Sequence, residues 1–551
     1  MTIWAPFERY GDSVFKDSSG GVYEMDALGM DQFYMNILGD DVVLYEKHID
    51  CVECDYRIIK GLKIGNTHTI YQTQFKNEIT CNFGGKFGEF GVYNVFGNSS
   101  NCTVDEIREH VNIYFPILSA TVIYTLLSLA IYALTRVCPK LFTDDEDDGG
   151  KKKRMKSLDT FRGLTILMMI FANFGGGGYY YIEHAPWNGL HIADVIFPWF
   201  MWIMGAVIPI TLPSKLKQTS KKEIFYDVFL RSLKLFCLGI FLGGGSNLYG
   251  LRIMGVLQRF GIAYLVVTTI LMFTLETDNE RYNQGLLSQV KDVLVLWKGW
   301  LVAFIILIIH LLVVFLVHAI DCPAGYLGPG GDHESGKYFG CVGGATGYID
   351  RSILGSMHVY QNPTIKDVFG TKTPFDPEGL VGCLTTIFHV FIGVQAGSIY
   401  VQYKNEANGH FKIMLRWLLW SLGTGLIAGL LCGFSKEGGV IPVNKNLWSL
   451  SFVLVTSCFA FLVLTVFYFL IDYKTWWTGK PLFFAGMNAI VLYAGHEMTD
   501  GHLPVRFNYI DDSLYSMRQT HFGSLMSDTW GAAVWLFISY IMFRKKVFVT
   551  L

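Results

Sequence analysis

The sequence predicts a polytopic α-helical membrane protein with about 11 transmembrane helices behind a small N-terminal β-rich domain. Three observations predict it. Of 551 residues, 51% are hydrophobic and only 16% charged, whereas soluble domains carry about 25% charged residues. Apolar stretches close to the about 20 residues that a span requires recur from residue 112 to residue 543. Before them lie some 110 polar, turn-rich residues with no stretch of that length.

In residues 1–110, short alternating runs such as Asp41-Val-Val-Leu-Tyr45 and His68-Thr-Ile-Tyr-Gln72 read as strands, separated later by turns at Gly84-Gly85, Gly88 and Gly91. From residue 111 onward the chain reads as one membrane domain. The spans are expected near 112–137, 158–182, 190–213, 227–246, 253–275, 297–320, 378–402, 412–434, 447–471, 483–500 and 528–543, with a long loop at 321–377. The opening MTIWAPFERYGDSVF lacks the basic start and apolar core of a signal peptide. Either the first span translocates the N-terminus or a segment precedes this start.

Lys and Arg in short loops mark the cytosolic side. Lys151-Lys-Lys-Arg154 with Lys156 follows span one, Lys215 to Lys222 follows span three, and Arg544-Lys-Lys546 closes the chain. Loops after even-numbered spans carry few basic residues. The expected orientation is therefore N-terminus luminal and C-terminus cytosolic. Two glycosylation sequons, Asn98-Ser-Ser100 and Asn101-Cys-Thr103, fall on the expected outside. Cys51, Cys54, Cys81 and Cys102 lie there too, as do Cys322 and Cys341 in the long loop, where disulfides can form. Cys322–Cys341 is the expected pair, and the connectivity of the other four stays open. Cys237, Cys383 and Cys458 within spans, and Cys432 near a span end, read as buried apolar side chains.

A net charge of −2 argues against a nucleic-acid partner. Intramembrane polar groups are costly and point to function. They are densest on span two and its exit: Asp159, Arg162, Asn173, Gly175 to Gly178 and His184. Arg162 and Asn173 are about three turns apart on one helix face, about 16 Å along the axis, and the helix is expected to loosen at the glycines. The track thus carries a charge at its cytosolic end and an imidazole at its luminal end. Taken alone, Asp159 and Arg162 read equally as an interfacial ion pair, and a lone histidine in a loop is usually only that. Asp194 on span three, Arg231 on span four, Arg252, Gln258 and Arg259 on span five, Asn444-Lys445-Asn446 before span nine, and Asn488 and His496-Glu497 on span ten add polar groups that would face one interior cavity. Arg252 and Arg259 are seven apart and are expected on one face. No ligand set has metal spacing, and no metal is expected. Cys51-Val-Glu-Cys54 reads as an external disulfide pair.

At SLDTFRGLTILMMIFANFGGGGYYYIEHAPWNGLHIADVIFPWF (157–200) the chain resembles the heparan-α-glucosaminide N-acetyltransferase family. The likeness continues through RIMGVLQRFGIAY (252–264), CPAGYLGPGG (322–331), GGATGYIDR (343–351), DPEGL (376–380), IPVNKNLWSLS (441–451) and GMNAIVLYAGHE (486–497). The resemblance implies acetyl transfer from cytosolic acetyl-CoA to the terminal glucosamine of heparan sulfate, at the lysosomal membrane, by a homodimer. It places the active-site histidine on His184 and an assisting asparagine on Asn173. Some members carry a cysteine between spans four and five, whereas Gly243 to Gly250 here has none.

The residues fit that chemistry. Arg162 and Arg231, with Arg259 further in, are the candidates to attract the coenzyme's phosphates. A neutral His184 is suited to deprotonate the amine or to carry the acetyl group itself. Asn173 is expected to donate to the thioester oxygen, and Asp194 to orient His184. The competing readings are a related acyltransferase with another sugar acceptor, and a secondary transporter.

Overall fold

The computed structural model describes residues 14–549 except 18–20, 26–27, 39–42, 60–61, 76–77, 84–85, 98–101, 138–153, 245–246, 276–284, 321, 501 and 504–519. Both sequon asparagines, Asn98 and Asn101, and Lys151 to Lys153 lie outside the described residues. The chain is mostly helical with a β-rich N-terminal part, in agreement with the predicted fold class. It divides into two units.

The first unit comprises residues 1–154, 174–179 and 504–531. Its strands are β1 (Val14–Lys16), β2 (Val22–Glu24), β3 (Gln32–Leu38), β4 (Leu44–His48), β5 (Arg57–Ile59), β6 (Leu62–Asn66), β7 (Thr69–Phe75), β8 (Glu78–Asn82), β9 (Val92–Gly97) and β10 (Cys102–Arg108). β1 and β2 pair alone, a second sheet runs β10-β9-β3-β6, and a third runs β5-β4-β7-β8. The two runs read as strands become β4 and β7 and pair antiparallel, Leu44 opposite Thr73. The core is aromatic: Phe33 stacks on Phe87 at 4.9 Å and meets Tyr71 and Tyr93 edge-on, the offset and edge geometries that aromatic quadrupoles favour. Cys51 and Cys54 form a disulfide. The helix α1 (Tyr114–Val137) follows, its side chains largely exposed and apolar.

Gly175 to Gly178 all take positive φ, from 59° to 125°, a conformation that side-chain-bearing residues avoid. This turn is held within the first unit. Gly177 N donates to Asp528 Oδ2 at 2.8 Å, and His521 Nδ1 lies 3.0 Å from Gly177 O.

The second unit comprises residues 155–173, 180–503 and 532–551. It contains α2 (Lys156–Asn173), α3 (Ile192–Gln218), α4 (Lys221–Leu242), α5 (Val256–Thr274), α6 (Lys291–Leu294), α7 (Trp297–Leu316), α8 (Gly344–Leu354), α9 (Ile365–Phe369), α10 (Leu380–Tyr403), α11 (Gly409–Cys432), α12 (Leu450–Phe467), α13 (Leu482–Met487) and α14 (Ala489–Met498); α15 (His521–Arg544) begins in the first unit and ends in the second. α10 is the central element, almost wholly buried and packed on α3, α5, α7, α11 and α12. α3 and α10 touch backbone to backbone: a Cβ on Gly393 would sit 2.1 Å from Trp202 O. Trp202, Phe461, Trp417 and Phe161 fill the core around this crossing.

Seven described helices are long and apolar enough to cross a membrane: α3, α5, α7, α10, α11, α12 with its continuation to Tyr473, and α15. The chain is a multi-pass membrane protein. The other four expected spans coincide with helices that differ from a plain span for visible reasons. α1 has a shorter apolar stretch, Tyr114–Ala130. α2 stops at Asn173 rather than 182, because the glycine turn follows, and it carries Lys156, Asp159 and Arg162. α4 holds several charges. The tenth breaks at Asn488, whose side chain binds the C-terminal backbone, Nδ2 donating to Val547 O at 3.1 Å and Oδ1 accepting from Val549 N at 3.1 Å.

Cys322 and Cys341 are disulfide-bonded as expected. Cys383 and Cys432 are buried, but Cys237 is exposed and Cys458 only partly buried. Cys237 extends the outward face of α4 set by Tyr226, Phe229 and Leu233, spaced three and four apart. An apolar thiol is at home on such a face when lipid covers it.

Candidate active site

His184 lies on the connection between α2 and α3. Beyond it, Pro186 to Gly189 is stitched to the segment before α12. Gly189 N donates to Val443 O at 2.8 Å, Asn444 Nδ2 to Asn188 Oδ1 at 3.0 Å, and Asn446 Nδ2 to Pro186 O at 3.1 Å. This register seats Lys445 on the imidazole, its Nζ 3.0 Å from His184 Nδ1 and 3.1 Å from Nε2.

Asp194 stands in the first turn of α3, where a carboxylate suits the unpaired amides of a helix start. Its Oδ2 accepts from Ala185 N at 3.1 Å and His191 N at 3.0 Å, and its Oδ1 is 2.8 Å from His184 Nδ1. The carboxylate is fully buried and held at both oxygens. It can only accept, so Nδ1 carries the hydrogen and the lone pair sits on Nε2. With 44% of its side chain accessible, the imidazole can be reached by a substrate. Desolvation by the surrounding protein, and then the Lys445 ammonium, hold the His184 pKa below its ordinary value against the opposing pull of Asp194 and Glu378.

Behind this pair lies a buried charge cluster. Arg252 makes a bidentate pair with Asp376, Nε to Oδ2 at 2.9 Å and Nη2 to Oδ1 at 2.6 Å, and also meets Glu378 at 2.6 Å. Arg259 donates from Nη2 to Gly379 O at 2.9 Å and stacks over Trp448 at 4.9 Å, while its Nε and Nη1 have no hydrogen-bond partner among the described residues. The two arginines do not share a helix face, because α5 starts only at Val256. They converge on residues 376–379 all the same.

Asn173 is not placed on His184. At the end of α2 its Nδ2 lies 2.9 Å from His496 Nε2 and 3.0 Å from Glu497 Oε1 of α14. Arg162 lies 3.4 Å from Asp159 Oδ1 and 3.4 Å from Gly486 O. Arg231 lies over the Tyr264 ring at 4.9 Å. The structure thus brings Asp194 to His184, and gives Asn173, Arg162, Arg231 and Arg259 partners of their own.

Chemically, the arrangement is an oriented, partly accessible imidazole with a buried carboxylate at Nδ1 and the Lys445 ammonium 3.1 Å from the Nε2 lone pair. That is equipment for proton removal or nucleophilic attack. No family model matches the chain. Heparan-α-glucosaminide N-acetyltransferase of Mus musculus is 32% identical to it over 592 aligned positions, covering 95% of this chain and 89% of the relative. The protein of the same name from Homo sapiens is 40% identical over 403 positions, 72% of this chain and 59% of the relative. The chain belongs to the heparan-α-glucosaminide N-acetyltransferase family. At family level it is a transmembrane N-acetyltransferase, an acyltransferase enzyme.

In this member of the acetyltransferase family, part of the surroundings of His184 carries no local signal in the sequence. Lys445 stands out only as marking the start of a span, and Asp376 and Glu378 only as part of a shared string. The signal for all three lies in tertiary placement: Lys445 is 261 residues from His184 in the chain. Spacing cannot reveal such a contact.

Proposed function

We propose that this chain moves an acetyl group from acetyl-CoA to the amine of the terminal α-glucosamine of heparan sulfate, with His184 at the reacting centre. The observation that carries the reading is the His184–Asp194 pair, which puts the lone pair on Nε2 of a partly accessible imidazole, where Lys445 and a substrate compete for it. In direct transfer, Nε2 takes one proton from the sugar ammonium, the freed amine nitrogen bonds to the acetyl carbon, the C–S bond breaks, and the nitrogen's second proton passes to the departing sulfur, which leaves as the coenzyme A thiol. In the two-step route Nε2 attacks the acetyl carbon and the C–S bond breaks to release the coenzyme A thiolate, which takes a proton from the sugar ammonium; the freed amine then attacks the acetyl carbon, the bond to Nε2 breaks, and the nitrogen's second proton passes to Nε2. Both routes use the same lone pair.

Acetyl-CoA is multiply anionic, and the cationic residues offered to it are Arg162 and Arg231 toward the expected cytosolic side and the buried Arg259 deeper in. Arg259 Nε and Nη1 suit an anionic or carbonyl oxygen. In this reading the protein sits in the lysosomal membrane as a homodimer, with its N-terminus luminal, its C-terminus cytosolic and the N-terminal sequons glycosylated, so that donor and acceptor meet across the bilayer.

The test is purified protein in detergent with labelled acetyl-CoA and glucosamine. Transfer is expected, and His184→Ala is expected to lose at least about 100-fold in rate while still binding acetyl-CoA. Full activity in His184→Ala would overturn the site assignment. Transport into sealed vesicles without any transfer in detergent would overturn the enzyme reading. A panel of amino sugars and heparan sulfate oligosaccharides decides the acceptor.

A further inference from the structure

Asn173 is wired to α14 in a way that sets its polarity. His496 Nδ1 is 2.9 Å from Leu492 O. A carbonyl only accepts, so Nδ1 carries the hydrogen; in the neutral ring Nε2, which also lies 3.4 Å from Glu497 Oε1, is then the acceptor facing Asn173. Glu497 is likewise an acceptor, so the Asn173 atom 3.0 Å from its Oε1 must be the NH₂; a flipped amide would set oxygen against oxygen. Both Nδ2 hydrogens are therefore committed, one to His496 and one to Glu497. What Asn173 has left is Oδ1, and the residue is exposed. This is the reverse of the donor role toward a thioester oxygen that the sequence suggests.

We propose that Asn173 Oδ1 accepts an N–H of the acceptor amine, and that His496 and Glu497 are positioning residues that fix the amide in this sense. The inference rests on the acetyl-transfer reading above and names the substrate atom that this part of the site takes. The surrounding charge selects an ammonium over an acyl oxygen or a phosphate. Glu497 adjoins Asn173, and Tyr493, one turn away on α14, lies in the field of both Glu497 and Glu378. Glu378 acts in turn on His184. A cationic amine held at Asn173 is attracted by the adjoining Glu497, a carboxylate that would repel the coenzyme, whereas Glu378 is already paired with Arg252.

The experiment is steady-state kinetics of the full-length protein with glucosamine and acetyl-CoA, together with direct acetyl-CoA binding. Asn173→Leu is expected to raise KM for glucosamine by about tenfold or more, the worth of one charge-assisted hydrogen bond, with acetyl-CoA affinity unchanged. Asn173→Asp sets a carboxylate against Glu497 and should be worse, while adding Glu497→Gln restores an NH₂-to-carboxylate pair of reversed direction and should recover much of the loss. His496→Phe should mimic Asn173→Leu, with His496→Gln, which offers an amide oxygen to Asn173, rescuing part of it; this pair carries the same test if Asn173→Leu fails to fold. A fall in kcat with the glucosamine KM unmoved, or no recovery in the Asn173→Asp/Glu497→Gln double variant, overturns the proposal. Both outcomes require an active wild type, so they are distinct from failure of the acetyl-transfer reading, in which the wild type itself transfers nothing.

Discussion

Asp194 determines which nitrogen of His184 can react. Its Oδ1 stands 2.8 Å from Nδ1 while its Oδ2 is pinned by the amides of Ala185 and His191. The carboxylate cannot turn away, so the ring keeps one tautomer with its lone pair on Nε2.

From this pairing, Asp194→Asn is expected to cost far more than a neutral change of equal size. With its oxygen kept on the two backbone amides, the asparagine turns its NH₂ to Nδ1, where it donates and stabilises the wrong tautomer. A fall in kcat of about 10²- to 10⁴-fold is expected, in the range of general acid–base contributions, with acetyl-CoA affinity preserved. Turnover above a tenth of wild type would show that the ring does not need this partner.

Lys445→Met tests the electrostatics on the other side of the ring. The His184 pKa is depressed by desolvation and then by Lys445, so the neutral, reactive ring persists below the ordinary 6.5. Without the ammonium the pKa rises toward its ordinary value, and protonation removes the lone pair earlier as pH falls. The acid limb of kcat/KM is therefore expected to move to higher pH than in the wild type. A limb that stays in place or moves to lower pH would mean that Lys445 does not govern this ionisation.

The Cys322–Cys341 bond closes a loop of sequence separation 19. Closing a loop of that size stabilises by about 3 kcal/mol in the chain-entropy account. Cys322→Ser/Cys341→Ser is accordingly expected to lower the Tm of the detergent-solubilised protein by several degrees, and a reductant should reproduce the shift in the wild type only. An unchanged Tm in the double variant counts against the bond.

The helices were legible because hydrophobic length is a local property, and each predicted span finds a helix. Their ends were less so. Span two ends at Asn173 because four consecutive glycines take positive φ, a cue present in the sequence but easily absorbed into an apolar run. Span ten breaks because Asn488 binds backbone at Val547 and Val549, some 60 positions away, and no local pattern announces that. The site divides in the same way. His184 and Asp194 are ten residues apart and could be associated by proximity. Lys445, Glu378 and the His496–Asn173 link are made by helices folding back on one another, and only coordinates reveal them.

Glu89 in the β-rich unit provides a stability test with a definite sign. It is 2% accessible, accepts from Asp31 N at 3.3 Å, and has His521 Nε2 at 3.8 Å from its Oε2. Burial, helped by the nearby Asp31 carboxylate and opposed by His521, pushes its pKa up to about 7 from 4.5. Between those values the folded state holds a proton that the unfolded chain has released. Stability from this group is therefore full below pH 4.5 and is lost as pH rises through 7, at a limiting slope of about 1.4 kcal/mol per pH unit. Asp31, whose pKa is held low by the hydrogen bonds and charges of His521 and His68, works in the opposite sense, but only at pH below its ordinary 3.8. Glu89→Gln keeps the shape and removes the titration. Between pH 4.5 and 7 the wild type is expected to lose more stability than the variant, read as the difference in their Tm values at each pH. A difference that is flat across this interval would show that Glu89 is ionised in the folded protein throughout it.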